Sequence, residues 1–334
     1  MGTERLAASQ KCVPRNLTGI GKKRRLQLGN PKGVSAVRCR RRFCCVLAVV
    51  LTACLWPIVL AAGKAADGSA RAEEEIRLIV RADDIGSSHA ANVACMKSYR
   101  EGIARSVEVM VPAPWFNEAA KMLKEAPGYD VGVHLTLTSE WENCKWGPIT
   151  QAPSLVDDQG HFFPMTRQRS DFPPNTGFLE AKPKLDEVER ELRAQIELAV
   201  KMIPQVSHLS SHMGTPTCTP ELKALVNRLA KEYKLPVEFP QAKGAGGFGG
   251  DDADAEERVA ALVKLLDELK PGTWILVEHP GLDTPEMRAM GHKGYWNVAK
   301  DRDGVTKAFT SEVVKEVIKK RRIRLISYRD LSGD

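Results

Sequence analysis

The sequence predicts an α/β protein, an irregular TIM-like (β/α) barrel with about seven parallel strands. Three observations lead there. From residue 75 onward, short apolar runs alternate with longer segments of helical periodicity. The runs are short and mainly apolar, as strands covered on both faces are. Strand and helix follow one another singly, the pattern of βαβ units around a parallel sheet. An open doubly wound sheet is the second architecture compatible with this order, and no internal repeat is visible.

The strand candidates are Ile76–Arg81, Val107–Val111, Val131–Leu137, Val206–Ser211, Val237–Phe239, Trp274–Glu278 and Ile323–Ser327. Helices are expected over Ser88–Arg100, Trp115–Glu125, Lys184–Met202, Pro220–Tyr233, Ala255–Leu269 and Ser311–Lys320. Two stretches break the alternation. Residues 141–182 are long, proline-rich and aromatic, which marks a functional loop. Its aromatics, Trp141, Trp146, Phe162 and Phe163, favour a folded lid or binding wall, or simply pack the loop onto the barrel. Residues 243–252, KGAGGFGGDD, are glycine-rich but lack both the GxGxxG spacing and a terminal Lys-Ser/Thr, so a phosphate loop is not expected.

Charge is unevenly spread. Of 49 Lys and Arg, 13 fall in residues 1–70 against two acids, leaving 36 basic and 40 acidic residues beyond them, a net of −4. A mildly acidic body argues against a nucleic-acid partner, which needs clustered cations. The run Lys319-Lys320-Arg321-Arg322 reads as a solvated helix face. The basic leader, 1–42, precedes an apolar run within 43–66, the layout of a secretory signal or an uncleaved anchor through residues 43–62. The expectation is export to the periplasm or cell envelope, with contact to the membrane only through that run; a misassigned start codon would make the protein cytoplasmic. Five of eight cysteines lie in residues 1–70, and Cys95, Cys144 and Cys218 are too scattered for a disulfide framework or a thiolate zinc site.

Chemistry in such a barrel sits at the carboxyl ends of the strands. There stand Asp83-Asp84, His134, His208 with His212, and His279. One such histidine could serve only to bond a carbonyl, and an Asp-Asp pair before a helix could be an N-terminal cap. Polar groups at four strand ends together point to a shared site. One carboxylate and two imidazoles suit a divalent metal with open positions, and an adjacent second carboxylate can then take a proton from water.

The segments ADDIG, VGVHLTLTSEW, SHLSSH, EHPG and IRLISYRDL, with ELRAQIE at 191–197, together resemble the YdjC-like family of carbohydrate deacetylases. The resemblance runs from about Ile76 to Leu331, so the domain at 71–334 is expected to be a metal-dependent deacetylase. It implies an irregular barrel, one divalent metal ion (zinc or magnesium, with nickel or cobalt as alternatives) and hydrolysis of an N-acetyl group on an amino sugar. By motif matching, Asp84, His134 and His212 would be the metal ligands and Asp83 the general base. His279 would protonate the leaving amine or steady the tetrahedral intermediate. His208, Glu140 and Trp141 would orient a ligand or touch substrate. A homodimer is a further expectation. The chain departs from the family where His-x-His is common and it reads His212-Met213-Gly214. Two other functions fit the same residues: a metal-dependent amidase or phosphoesterase of other substrate, and a non-catalytic, envelope-associated carbohydrate-binding protein. Asp83 discriminates the last, since a binder needs no base beside the metal.

Overall fold

A computed structural model describes residues 75–250 and 252–331. The basic leader and the apolar segment at 43–66 lie outside the described residues. Seven strands form one parallel sheet: β1 (Ile76–Ile85), β2 (Ser106–Val109), β3 (Asp130–Leu135), β4 (Val206–Ser211), β5 (Lys243–Gly244), β6 (Gly272–Glu278) and β7 (Arg324–Ile326). Their order is β4-β3-β2-β1-β6-β5, with β7 paired to β1. The order does not return from β5 to β4, so the barrel is incomplete. The predicted class, an irregular barrel of about seven parallel strands, is the one found.

Eight helices cover the sheet among the described residues: α1 (His89–Arg100), α2 (Phe116–Lys124), α3 (Leu185–Met202), α4 (Pro220–Tyr233), α5 (Ala255–Glu268), α6 (Pro285–Ala289), α7 (Val298–Thr310) and α8 (Glu312–Lys320). Six match the predicted helices within a residue or so at each end. Two escape the apolar pattern. Helix α6 is only five residues long, and α7 spends buried positions on Asp301, Arg302, Gly304 and Thr306. No helix among the described residues is long and apolar enough to cross a membrane.

One predicted strand is absent. Val237–Phe239 lies between Pro236 and Pro240, and a proline has no N–H to give to a ladder. The seventh strand is instead the two-residue β5, in the glycine-rich stretch. Phe239 packs inside the open barrel against Tyr328, with ring centroids 4.5 Å apart, beside Ile79, Ile326 and Leu331. The C-terminal basic run behaves as a helix end should. Lys319 and Lys320 complement the α8 dipole, and Arg321 donates to the carbonyl oxygens of Asp267 and Leu269.

The long loop is a folded wall. Phe162 is fully buried, and Trp146 and Phe163 nearly so. Helix α3 holds the wall by its acids. Glu191 accepts from the backbone N–H groups of Ile149 and Thr150 at 3.1 and 3.0 Å, and Glu187 from that of Ser154 at 2.7 Å. Gln195 exchanges two bonds with the backbone of Thr136. The ELRAQIE segment thus supplies two of these pins, Glu191 and Gln195.

Gly86 turns the chain from β1 into α1, which Ser88 caps. Its φ is +104°, and an added Cβ would stand 2.8 Å from the Met110 carbonyl oxygen. Its N–H donates to Asn92 Oδ1 at 2.6 Å, so the turn is fixed from both sides. Gly86→Ala is expected to cost about 1–3 kcal/mol of stability, read as a lowered midpoint in chemical denaturation. An unchanged midpoint would mean that the turn relaxes without strain.

Candidate active site

Adjacent residues of a regular strand point to opposite faces, so Asp83 and Asp84 should not share a site. The strand is not regular there. Its pairing with β2 shifts register between Ala82 and Ile85, and Asp84 adopts a left-handed backbone, φ +71°. The bulge re-aims the side chains. His134 Nε2 then lies 3.8 Å from Asp83 Oδ2 and 3.6 Å from Asp84 Oδ1. The sequence suggested that the strand ends before the two acids; it runs through them to Ile85, and the irregularity rather than the strand end brings them together.

His212, in the short helical turn His212–Thr217 after β4, places Nδ1 3.4 Å from Asp84 Oδ1. One donor atom each of Asp84, His134 and His212 lies within 4.8 Å of the others, and all three residues are buried. Asp84 Oδ1 has no hydrogen-bond partner. That oxygen makes only long contacts, 3.4 and 3.6 Å, to the two imidazole nitrogens and so remains open to a cation. The donor set fits a divalent metal ion.

Each donor is braced from behind. His134 Nδ1 bonds Ser210 Oγ at 2.7 Å, and His212 Nε2 bonds Glu140 Oε2 at 3.0 Å. Arg302 of α7 donates from Nη2 to Asp84 Oδ2 at 2.9 Å and lies over the Trp141 ring at 5.1 Å. Burial would raise the Asp84 carboxyl, but His279 and Arg302 reverse this and hold it well below the usual carboxylate range. Burial, with His212 nearby, pushes the His134 ring down to about 3, so it stands neutral. Burial also opposes charge on His212, yet Glu140 and Asp84 raise it to about 10. A cation held by these donors would take the place of a proton on His212.

Asp83 differs from its neighbour. Arg81 grips both its oxygens, from Nε and Nη2, at 2.7 Å each. Burial nevertheless raises the Asp83 pKa against Arg81, and the charge of Glu108 adds to the rise. His279, just past β6, sits at the rim with its side chain 43 % exposed and Nε2 3.9 Å from Asp84 Oδ2. Asp83, Asp84, His134, Glu140, His212 and His279 thus converge.

His208 does not join them. Its Nε2 bonds Glu108 Oε1 at 2.7 Å and its Nδ1 bonds Ser207 Oγ at 2.8 Å. Trp141 is buried, stacked 5.6 Å from His292. Gly214 follows His212 at φ +68° with no atom within 4 Å of where a Cβ would be. The departure from His-x-His leaves Asp84, His134 and His212 converged. Arg81, Glu108, Ser210 and Arg302 were not foreseen. Arg81 and Ser210 carried a faint signal, lying two positions before Asp83 and His212 in the sequence, whereas Glu108 and Arg302 carried none.

Residues 77–320 match the YdjC-like protein family. The chain belongs to that family. It is 29 % identical over 270 residues to a carbohydrate deacetylase of Brevibacillus brevis, covering 77 % of this chain and all of that one. It is 34 % identical over 239 residues to a carbohydrate deacetylase of Thermus thermophilus, covering 64 % of this chain and 80 % of that one. Among solved structures, an Enterococcus faecalis V583 protein described as a candidate for cellobiose-phosphate cleavage superposes with a TM-score of 0.61. It is 25 % identical, and the match covers 77 % of this chain and 99 % of that one. This YdjC-like chain thus shares its fold with that structure along most of the body.

Proposed function

We propose that this YdjC-like protein is a metal-dependent hydrolase that removes an N-acetyl group from an amino sugar or oligosaccharide and releases acetate. The observation that carries the reading is the pairing of unlike carboxylates: Asp84 turned to His134 and His212, Asp83 held beside them by Arg81. The names of the relatives supply the substrate class.

Asp84, His134 and His212 would hold the divalent ion, zinc or magnesium, with nickel or cobalt as alternatives. When bound, that ion supplies Lewis acidity toward an acetyl carbonyl and lowers the pKa of a water. Asp83 takes the water proton on a carboxylate oxygen as the water oxygen bonds the acetyl carbon. Its raised pKa brings it nearer to neutral, where proton transfer is better matched. Arg81 fixes the carboxylate so that no rotation is needed at the moment of transfer. Arg302 occupies Asp84 Oδ2 and leaves Oδ1 to face the two imidazoles. His279 delivers a proton to the amine nitrogen as the C–N bond breaks, and its place at the rim suits a leaving group bound toward solvent. The acetyl carbon leaves as acetate and the sugar keeps a free amine.

The body is proposed to act outside the cytoplasm, exported or held at the envelope through residues 43–62. The activity test is stoichiometric. Incubation with N-acetylated amino sugars of one to several rings is expected to yield acetate and free amine in equal amounts. Acetate without amine would indicate an esterase; neither product, with metal bound, would favour the carbohydrate-binding reading.

A further inference from the structure

Among the described residues, Glu108 is a wholly buried carboxylate near the site that the proposed reaction leaves without a task. It stands in the middle of β2 and is 0 % exposed. A lone charge at such a place is expensive, so its partners define its use. Its Oε1 faces His208 Nε2 at 2.7 Å. Its Oε2 accepts a hydrogen bond from the Ser210 hydroxyl. Arg81 Nε lies 3.9 Å away on the side toward Asp83. The same Ser210 oxygen is the partner of His134 Nδ1 at 2.7 Å.

The direction of these bonds follows from counting hydrogens. Ser210 has one hydroxyl proton. It is committed to the Glu108 carboxylate, which can only accept. The serine oxygen is then left to accept, and His134 Nδ1 must be the donor. A neutral imidazole with its proton on Nδ1 has its lone pair on Nε2. That is the nitrogen facing Asp84 Oδ1 at 3.6 Å. Ser210 also pairs with His134 in the β3–β4 register, so the backbone sets the two side chains across from one another.

We infer that Glu108 is a positioning residue: acting through the Ser210 hydroxyl, it holds His134 in the tautomer and orientation that present Nε2 to the metal site. The inference rests on reading Asp84, His134 and His212 as metal donors. It gives β2, which contributes no side chain to the reaction, a part in it. His208, four residues before His212 and set apart from the metal donors, holds the other oxygen of Glu108 and keeps the carboxylate from turning away.

The test is metal affinity, measured on the full chain by competition with a chelator, using zinc and cobalt(II). Ser210→Ala is expected to weaken binding about 10–100-fold, the range for partners that orient a metal-bound histidine. It should also shift the cobalt ligand-field bands, because the ring is no longer fixed. Ser210→Thr keeps a hydroxyl and is expected to retain both affinity and spectrum. Glu108→Gln weakens binding in the parent chain, and its added effect in the Ser210→Ala background stays within about twofold, since the two act in series. A purely structural role would instead lower the melting temperature of the metal-free protein and leave affinity and spectrum alone. Unchanged affinity in Ser210→Ala, or losses that multiply in the double variant, overturns the inference while leaving the metal site standing. A parent chain that binds neither ion overturns both readings.

Discussion

Asp83→Asn is expected to lower acetate release by about 10²–10⁴-fold, the usual worth of a positioned general base, while metal content stays unchanged. The substitution keeps the shape of the side chain and removes its ability to take a proton. One of the two 2.7 Å bonds from Arg81 would then meet an amide N–H rather than an oxygen, so Arg81 loosens on that side. Asp84 Oδ1, His134 Nε2 and His212 Nδ1 are untouched, which is why the ion stays. Metal content by elemental analysis and acetate release on one sample separate the two effects. Full activity would place the base elsewhere. Loss of the ion would make Asp83 a ligand and not a base.

The second large effect is on the ion itself. His134→Ala and His212→Ala are each expected to weaken zinc binding by on the order of 10²-fold or more, beyond the loss when an orienting partner alone is removed. Both rings are buried, so each truncation also opens a cavity. Melting of the metal-free variants measures that cost by itself. An ion that binds only the folded state adds about 4 kcal/mol of stability at 1,000 times its Kd. In the parent chain that gain is expected as a rise in melting temperature on adding zinc, and in both variants the rise should collapse. Tight zinc retention in both would sink the assignment of ligands.

Most of the fold was legible because it rests on strand and helix periods that burial enforces. Strands β1 to β4, β6 and β7 and six of the helices answer to runs of apolar residues. Val237–Phe239 misled for a local reason, since its apolar content serves the barrel interior while its flanking prolines forbid a ladder. Helix α7 was hidden because it buries polar residues, Asp301 against Arg258 and Arg302 against Asp84, in place of an apolar stripe. For the site, histidines and acids at strand ends were visible as types. The bulge at Asp84 was not, because a left-handed aspartate leaves no mark in composition or period. Glu108 was the hardest to see. On an apolar strand it reads as a surface residue, and only the pairing of β1, β2, β3 and β4 shows that His208, Ser210 and Arg81 surround it.

The most direct test of the central claim is acetate release from N-acetylated amino sugars after metal is stripped from the full chain and returned, with Asp83→Asn carried through in parallel. The account predicts no acetate from the stripped protein, release restored by one divalent ion, and release from Asp83→Asn lowered by about 10²–10⁴-fold with that ion bound. Release that is indifferent to metal, or equal in the two chains, would contradict it.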